Sequence, residues 1–195
     1  MNFHAAKAYI IDRLERQLSD RLTYHSLGHT LDVLQITDEL CEAEKIPPYE
    51  RILLKTAALY HDSGFLISNV NHEDLGCGIA REILPKYRYT GGEIEQICGM
   101  IMATKIPQSP KNRLEEIICD ADLDYLGRID FYSIGNTLFQ ELKSHNVLHD
   151  ENSWNKLQVK FLEAHQFFTT TNQVRREPQK QQYLQELRVW LLTNV

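Results

Sequence analysis

The chain has 195 residues, 43% of them hydrophobic, a length and composition that suit one folded domain and exclude a disordered chain. Its 21 basic and 27 acidic residues leave a net charge of −6, which argues against non-specific nucleic-acid binding but leaves room for a local basic pocket. No apolar run approaches membrane-spanning length, residues 1–18 lack the apolar core of a secretion signal, and Cys41, Cys77, Cys98 and Cys119 form no Cys-x-x-Cys pair. Reduced thiols in a cytoplasmic protein with no membrane partner are the expectation.

In chain order, Ala6, Tyr9, Ile10, Leu14 and Leu18 lie at helical spacing and predict a helix over 3–18. Ser26 is placed to cap a second helix over 27–44, with Leu27, Leu31, Leu34, Ile36 and Leu40 apolar. Pro47-Pro48 breaks the chain and opens a third helix through Tyr60. Residues 65–71 read as a loop and 72–84 as a fourth helix stopped by Pro85. Thr90-Gly91-Gly92-Glu93 is a capping-box pattern for a fifth helix up to about Ala103. Pro107 and Pro110 mark a loop, and 114–126 reads as a sixth helix with Gly127 as its stop. Helices over 131–144, 154–170 and 178–192 follow, with a polar loop at 145–152. Alternating strand patterns are nearly absent, so the expected fold is all-α and the expected organisation a single domain over 1–195.

One stretch concentrates chemistry: Ala57-Ala58-Leu59-Tyr60-His61-Asp62-Ser63-Gly64. An apolar helical run ends there in an adjacent imidazole and carboxylate. Neighbouring residues inside a helix point about 100° apart, so His61 and Asp62 can share one ion only where the helix ends. Ser63-Gly64 supplies that turn. Divalent metals draw ligands from separate elements, with neutral nitrogen from His and a charge-offsetting carboxylate from Asp. His29 in the second helix and Asp122 in the sixth complete a candidate set of two nitrogens and two oxygens around one divalent ion, with positions left for water or a substrate oxygen. The alternative is an ordinary helix end whose His and Asp only make hydrogen bonds. A second dipeptide, His149-Asp150, lies in a polar loop with no apolar helix leading in and reads as solvated.

Four stretches, in order, resemble the motifs of the HD-domain superfamily of metal-dependent phosphohydrolases. They are Tyr24-His25-Ser26-Leu27-Gly28-His29-Thr30, the stretch ending His61-Asp62-Ser63-Gly64, Asn71-His72-Glu73, and Cys119-Asp120-Ala121-Asp122-Leu123-Asp124. The resemblance spans about residues 20–130. It implies a helical bundle of the HD type over that core, with a C-terminal extension over 131–195 whose two final helices pack on it. It also implies metal ligands at His29, His61, Asp62 and Asp122, with Asp120 and Asp124 close in sequence to the last of them. The implied activity is hydrolysis of a small phosphoester, a nucleotide foremost, as monoesterase or phosphodiesterase, by a water that a divalent ion activates. Mn2+, Fe2+, Co2+, Ni2+, Zn2+ and Mg2+ all remain candidates. Two departures narrow this reading. Met102-Ala103-Thr104-Lys105 stands where enzymes with two metals carry a further His, which favours a single ion. Ser63-Gly64-Phe65 replaces the acidic pair that hydrolases of guanosine tetraphosphate carry after the doublet.

Under that activity, Lys105 and Arg128 are candidates to offset phosphate charge, against a default as surface charges. His25 and His72 are candidates to bind phosphate or relay a proton, or else to sit at helix starts. Asp120 orients His29 or His61, or caps a helix. Glu73 orients a water or, the simpler reading, favours a helix N-terminus. Trp154, Phe161, Phe167 and Phe168, at helical spacing, read as core or as a subunit contact, which leaves a homodimer open, rather than as a base-stacking platform. The competing function is a metal-stabilised regulatory or interaction domain without turnover, whose ion would be closed off by protein ligands.

Overall fold

The computed structural model describes residues 1–194. Among these residues there are ten α-helices, three short 3₁₀ helices and no strand, so the fold is all-α. No helix among them is long and apolar enough to cross a membrane. The chain divides into two compact units, Met1–Asp122 and the residues from Leu123 on, a boundary a few residues short of the core limit near 130 read from the sequence.

In the first unit, α1 (Phe3–Gln17) starts at Asn2, whose side chain accepts from the Ala5 N–H, and buries Ala6, Ile10 and Leu14 as one stripe four residues apart. Ser26 caps α2 (Leu27–Ala43) by accepting from the His29 N–H at 3.4 Å, as its sequence position predicts. A proline at the first helical position opens α3 (Pro48–Tyr60). Leu53, Leu54 and every residue of 56–60 are buried, so the C-terminal half of α3 has no solvent face. A helix apolar all round belongs at a centre, and α1, α2, α4 (His72–Ile83), α5 (Gly91–Ala103) and α6 (Arg113–Asp122) all pack against it. Each leucine or isoleucine removed from water there contributes about 1.5–3 kcal/mol. The capping box at Thr90 and Glu93 is formed in full.

Three sequence expectations shift here. Ser63-Gly64, read as a turn, and residues 65–66, read as the start of a loop, together form a 3₁₀ turn directly after His61-Asp62. The sixth helix ends at Asp122 rather than Leu126, and residues 124–127 form a separate 3₁₀ turn. Gly64 and Gly127 are not present for left-handed backbone, since no glycine among the described residues has positive φ. They allow close approach instead. A Cβ on Gly64 would overlap the His72 carbonyl, and one on Gly127 would overlap the Arg176 backbone.

The second unit holds α7 (Phe131–Ser144), α8 (Glu151–Ala164), α9 (Thr170–Arg175) and α10 (Glu177–Thr193). The helix expected over 154–170 therefore begins earlier and stops six residues sooner. His165 turns extended, and its carbonyl accepts from the buried Lys180 ammonium at 2.6 Å. Thr169 then caps the short α9. Asp150, half of the second His-Asp dipeptide, is the N-cap of α8 and accepts from the Ser153 N–H at 2.8 Å. His149 beside it is exposed.

Candidate metal centre

The packing of α2 and α6 on α3 brings their ends together at one point. His29 sits in the first turn of α2, His61 closes α3, and Asp122 is the last residue of α6. His29 Nε2 lies 3.3 Å from His61 Nε2. Asp122 Oδ1 is 3.1 Å from the first of these nitrogens and 3.4 Å from the second. Asp62 Oδ2 is 3.5 Å and 3.1 Å from the same two. His29, His61 and Asp122 form a set whose donor atoms all lie within 4.8 Å of one another. Asp62 adjoins the two imidazoles outside that set.

The donor chemistry is set by the backbone. His61 Nδ1 lies 2.8 Å from the Ala58 carbonyl, so Nδ1 carries the proton that it donates there. Nε2 then presents its lone pair to the common point, the usual way a ligating histidine is oriented. Asp62 Oδ2 is buried and receives no hydrogen bond. Two carboxylates and an imidazole lone pair facing one another repel unless a positive charge lies among them. Burial works against a charged His61, but the Asp62 and Asp122 carboxylates outweigh it and hold the imidazole pKa well above its ordinary value, so this point favours a positive charge, carried by a proton on Nε2 or by an ion that takes that proton's place on the lone pair. Burial likewise opposes charge on the two carboxyls, and the imidazoles override it and lower both. The site lies at the C-terminal ends of α3 and α6, where the helix dipoles also favour a cation. Donors bound about 2.1 Å from one ion stand roughly 3–3.4 Å apart, close to the spacings here. These residues therefore fit a divalent ion.

Around this point the chain builds a wall of rings. Tyr24 stacks on His29 with centroids 4.7 Å apart. Phe65 lies 4.2 Å from His25 and 4.3 Å from His72. His72 Nε2 is 3.6 Å from Asp62 Oδ1 and 3.5 Å from Glu73 Oε1. His25 and His72 thus flank the convergence, and neither contributes to the three-residue set. Phe65, named in the sequence only within the stretch that replaces the acidic pair, received no role of its own there because it falls in a stretch taken as loop. The only signal was an aromatic residue three positions after the doublet. Tyr24 was visible inside its motif, yet nothing in the sequence assigned it a partner.

The remaining candidates are placed as follows. Asp120, two residues before Asp122 on α6, is fully buried and stands outside the donor set. Asp124 belongs to the second unit, where its carboxylate accepts from Arg176 at 2.8 Å and Asn172 at 3.1 Å. Arg128 is also in that unit and pairs with Asp130 at 2.6 Å. Lys105 Nζ lies 3.5 Å from Asp74 on the first turn of α4, two residues from His72, with both side chains well exposed.

The sequence profile of the HD domain matches residues 26–124, which hold all four candidate ligands and just over half of the chain. No curated protein and no solved structure matches. Members of this family are generally metal-dependent hydrolases, and a cluster of histidine and aspartate able to hold a metal stands where its motifs fall. On the strength of that match the chain belongs to the HD-domain family.

Proposed function

We propose that this protein is a phosphohydrolase that cleaves a small phosphoester, with a nucleotide as the favoured substrate class. What carries the reading is the meeting of His29, His61, Asp62 and Asp122 from three helices, with the His61 lone pair aimed inward by the Ala58 carbonyl. A divalent ion held there supplies a lowered water pKa and polarisation of a phosphoryl oxygen. Four protein donors leave open positions on an ion that takes five or six.

The surrounding residues divide the rest of the work. His61 and Asp62 hold their positions through the α3 end and the 3₁₀ turn. His72, beside Asp62 and in contact with Phe65, is positioned to hold a proton at Nε2 for the leaving oxygen. His25 and Phe65 form a flat flank against which a planar group can rest. Lys105 can exchange its solvent-exposed partner Asp74, two residues from His72 on α4, for a phosphate oxygen. The partner in this reading is a small molecule rather than a nucleic acid or a membrane, consistent with the net charge of −6.

The test is metal analysis of the purified protein followed by phosphate release from mononucleotides and cyclic nucleotides with Mn2+, Mg2+ or Co2+. Release that a chelator abolishes and added ion restores is expected. Full metal occupancy with no hydrolysis across the panel would overturn the proposal and leave a metal-stabilised regulatory domain.

A further inference from the structure

The helices of the second unit enclose a cavity of about 570 Å³, a volume within the range of small-molecule sites. Each wall is a helical stripe: Tyr132, Asn136 and Phe139 from α7, Glu151, Trp154, Asn155 and Gln158 from α8, and Glu186, Leu187 and Trp190 from α10. The floor is buried and includes Trp154, Asn155 and Gln158, while Glu151 and Glu186 stand exposed at the rim.

Two features of this lining are not those of a merely unfilled core. The first is a pair of amides, Asn155 at 5% and Gln158 at 8% exposure. Gln158 Nε2 donates to Asn155 Oδ1 at 2.9 Å, which leaves the Asn155 amide N–H groups and the Gln158 carbonyl with no partner among the described residues. Neither remaining atom is sealed from solvent, and both residues line the cavity. Exchanging the O and N atoms of both amides still leaves one donor and one acceptor side by side. The second is the combination of aromatic surface and charge. Trp154 stacks on Phe139 with centroids 5.6 Å apart and planes 13° apart, and Trp190 stands on the adjoining helix. The only charged side chains on the wall are the carboxylates of Glu151 and Glu186. Glu186 is held in place by the Tyr132 hydroxyl, which donates to Oε2 at 2.7 Å, and by Gln182, which donates to Oε1 at 2.9 Å.

Carboxylates without a basic residue repel phosphates and carboxylates and attract cations. Indole faces favour the same charge through the ring quadrupole. The Phe139 ring already draws one from within the chain, Lys143 Nζ, at 5.3 Å. A buried donor beside a buried acceptor matches a hydroxyl group, which can accept from one and donate to the other. We propose that this cavity binds a small organic cation that carries a hydroxyl group, with its ammonium against the tryptophans and glutamates and its hydroxyl on Asn155 and Gln158.

The cavity holds its own reporter, because Trp154 and Trp190 are the only tryptophans in the sequence. The full-length chain is titrated with choline at constant ionic strength while tryptophan emission is followed. A saturable change is expected, and none with choline's uncharged isostere, in which carbon replaces the quaternary nitrogen. Glu151→Gln, at an exposed position that leaves folding intact, should weaken choline binding about five-fold. Trp190→Leu should weaken it at least about ten-fold, with Trp154 still reporting. The proposal is overturned if choline gives no saturable change, if the uncharged isostere or adenosine binds as well as choline, or if Glu151→Gln leaves the affinity unchanged.

Discussion

Replacing Gly64 with alanine adds one methyl group where the 3₁₀ turn after His61-Asp62 meets the start of α4. An added Cβ would lie 2.6 Å from the His72 carbonyl carbon and 2.8 Å from its Cα, and would overlap the carbonyl oxygen. These are backbone atoms of a helix start, so no side-chain rotation relieves the clash. The turn and α4 must separate by on the order of 1 Å, at a cost of about 2–3 kcal/mol for an overpacked buried position. In a protein of this size that lowers Tm by roughly 5–10 °C. The same displacement moves His72 away from Asp62, now 3.6 Å apart. A misplacement of about 1 Å is enough to cost on the order of a hundred-fold in turnover. Thermal unfolding followed by circular dichroism and phosphate release read the two effects separately. Gly78→Ala is the control on the same helix: it is exposed, its added Cβ meets nothing within 4 Å, and it should be neutral or stabilising by up to about 1 kcal/mol. If Gly64→Ala unfolds at the wild-type temperature and keeps wild-type turnover, the close approach of the turn to His72 is not what assembles this site.

Asp62→Ala should abolish metal retention and phosphate release with helical content nearly unchanged. Metal at wild-type stoichiometry, measured by elemental analysis, would refute its place among the ligands. His149→Ala should alter neither metal content nor turnover, because its neighbour Asp150 serves as a helix cap and the imidazole is solvated. On α2, hydrogen bonding from Arg51, against the effect of burial and with help from Lys55, lowers the Asp38 carboxyl from its ordinary 3.8 to about 2. A depressed carboxyl stabilises the fold above its unfolded pKa and loses that contribution as pH falls from about 4 to about 2. Asp38 is about a third exposed, so solvent screening leaves about 1 kcal/mol of this α2–α3 link. Asp38→Asn should therefore lower stability at neutral pH by that amount and flatten the acid limb between pH 4 and 2. An unchanged urea-denaturation profile across that range would refute the assignment.

Where local chemistry decides structure, the sequence was a sufficient guide. Ser26, Pro48 and the Thr90–Glu93 box each satisfy or remove the orphan N–H groups of a helix start, and the helices begin where those residues stand. The fully apolar end of α3 likewise announces its central place. What stayed hidden depends on distant partners. The stop of α8 at Ala164 is accompanied by a contact from Lys180, whose ammonium takes the carbonyl of His165, fifteen positions before it. No local signal encodes that contact. The roles of Gly64 and Gly127 were also out of reach, because a glycine kept for close approach to another segment reads in sequence like one kept for a turn.

The three aspartates at 120, 122 and 124 show why motif spacing alone could not choose the last ligand. Had the helix run on to 126, Asp120 and Asp124 would lie one turn apart on the same face, with Asp122 pointing about 200° away from Asp120. An ion facing Asp120 would then have had two carboxylates to choose from and Asp122 would have been excluded. The helix instead ends at Asp122, and Leu123 at φ −109° and ψ 17° starts a new direction. Asp120 remains buried, Asp124 is taken by Arg176 and Asn172, and Asp122 is the one that joins His29 and His61 in the donor set. The stop of the helix at Asp122 takes Asp124 off the face it would have shared with Asp120, while the rotation of α6 against α2 and α3 decides which of the two helical aspartates meets the histidines; both are properties of backbone packing and not of the residues themselves.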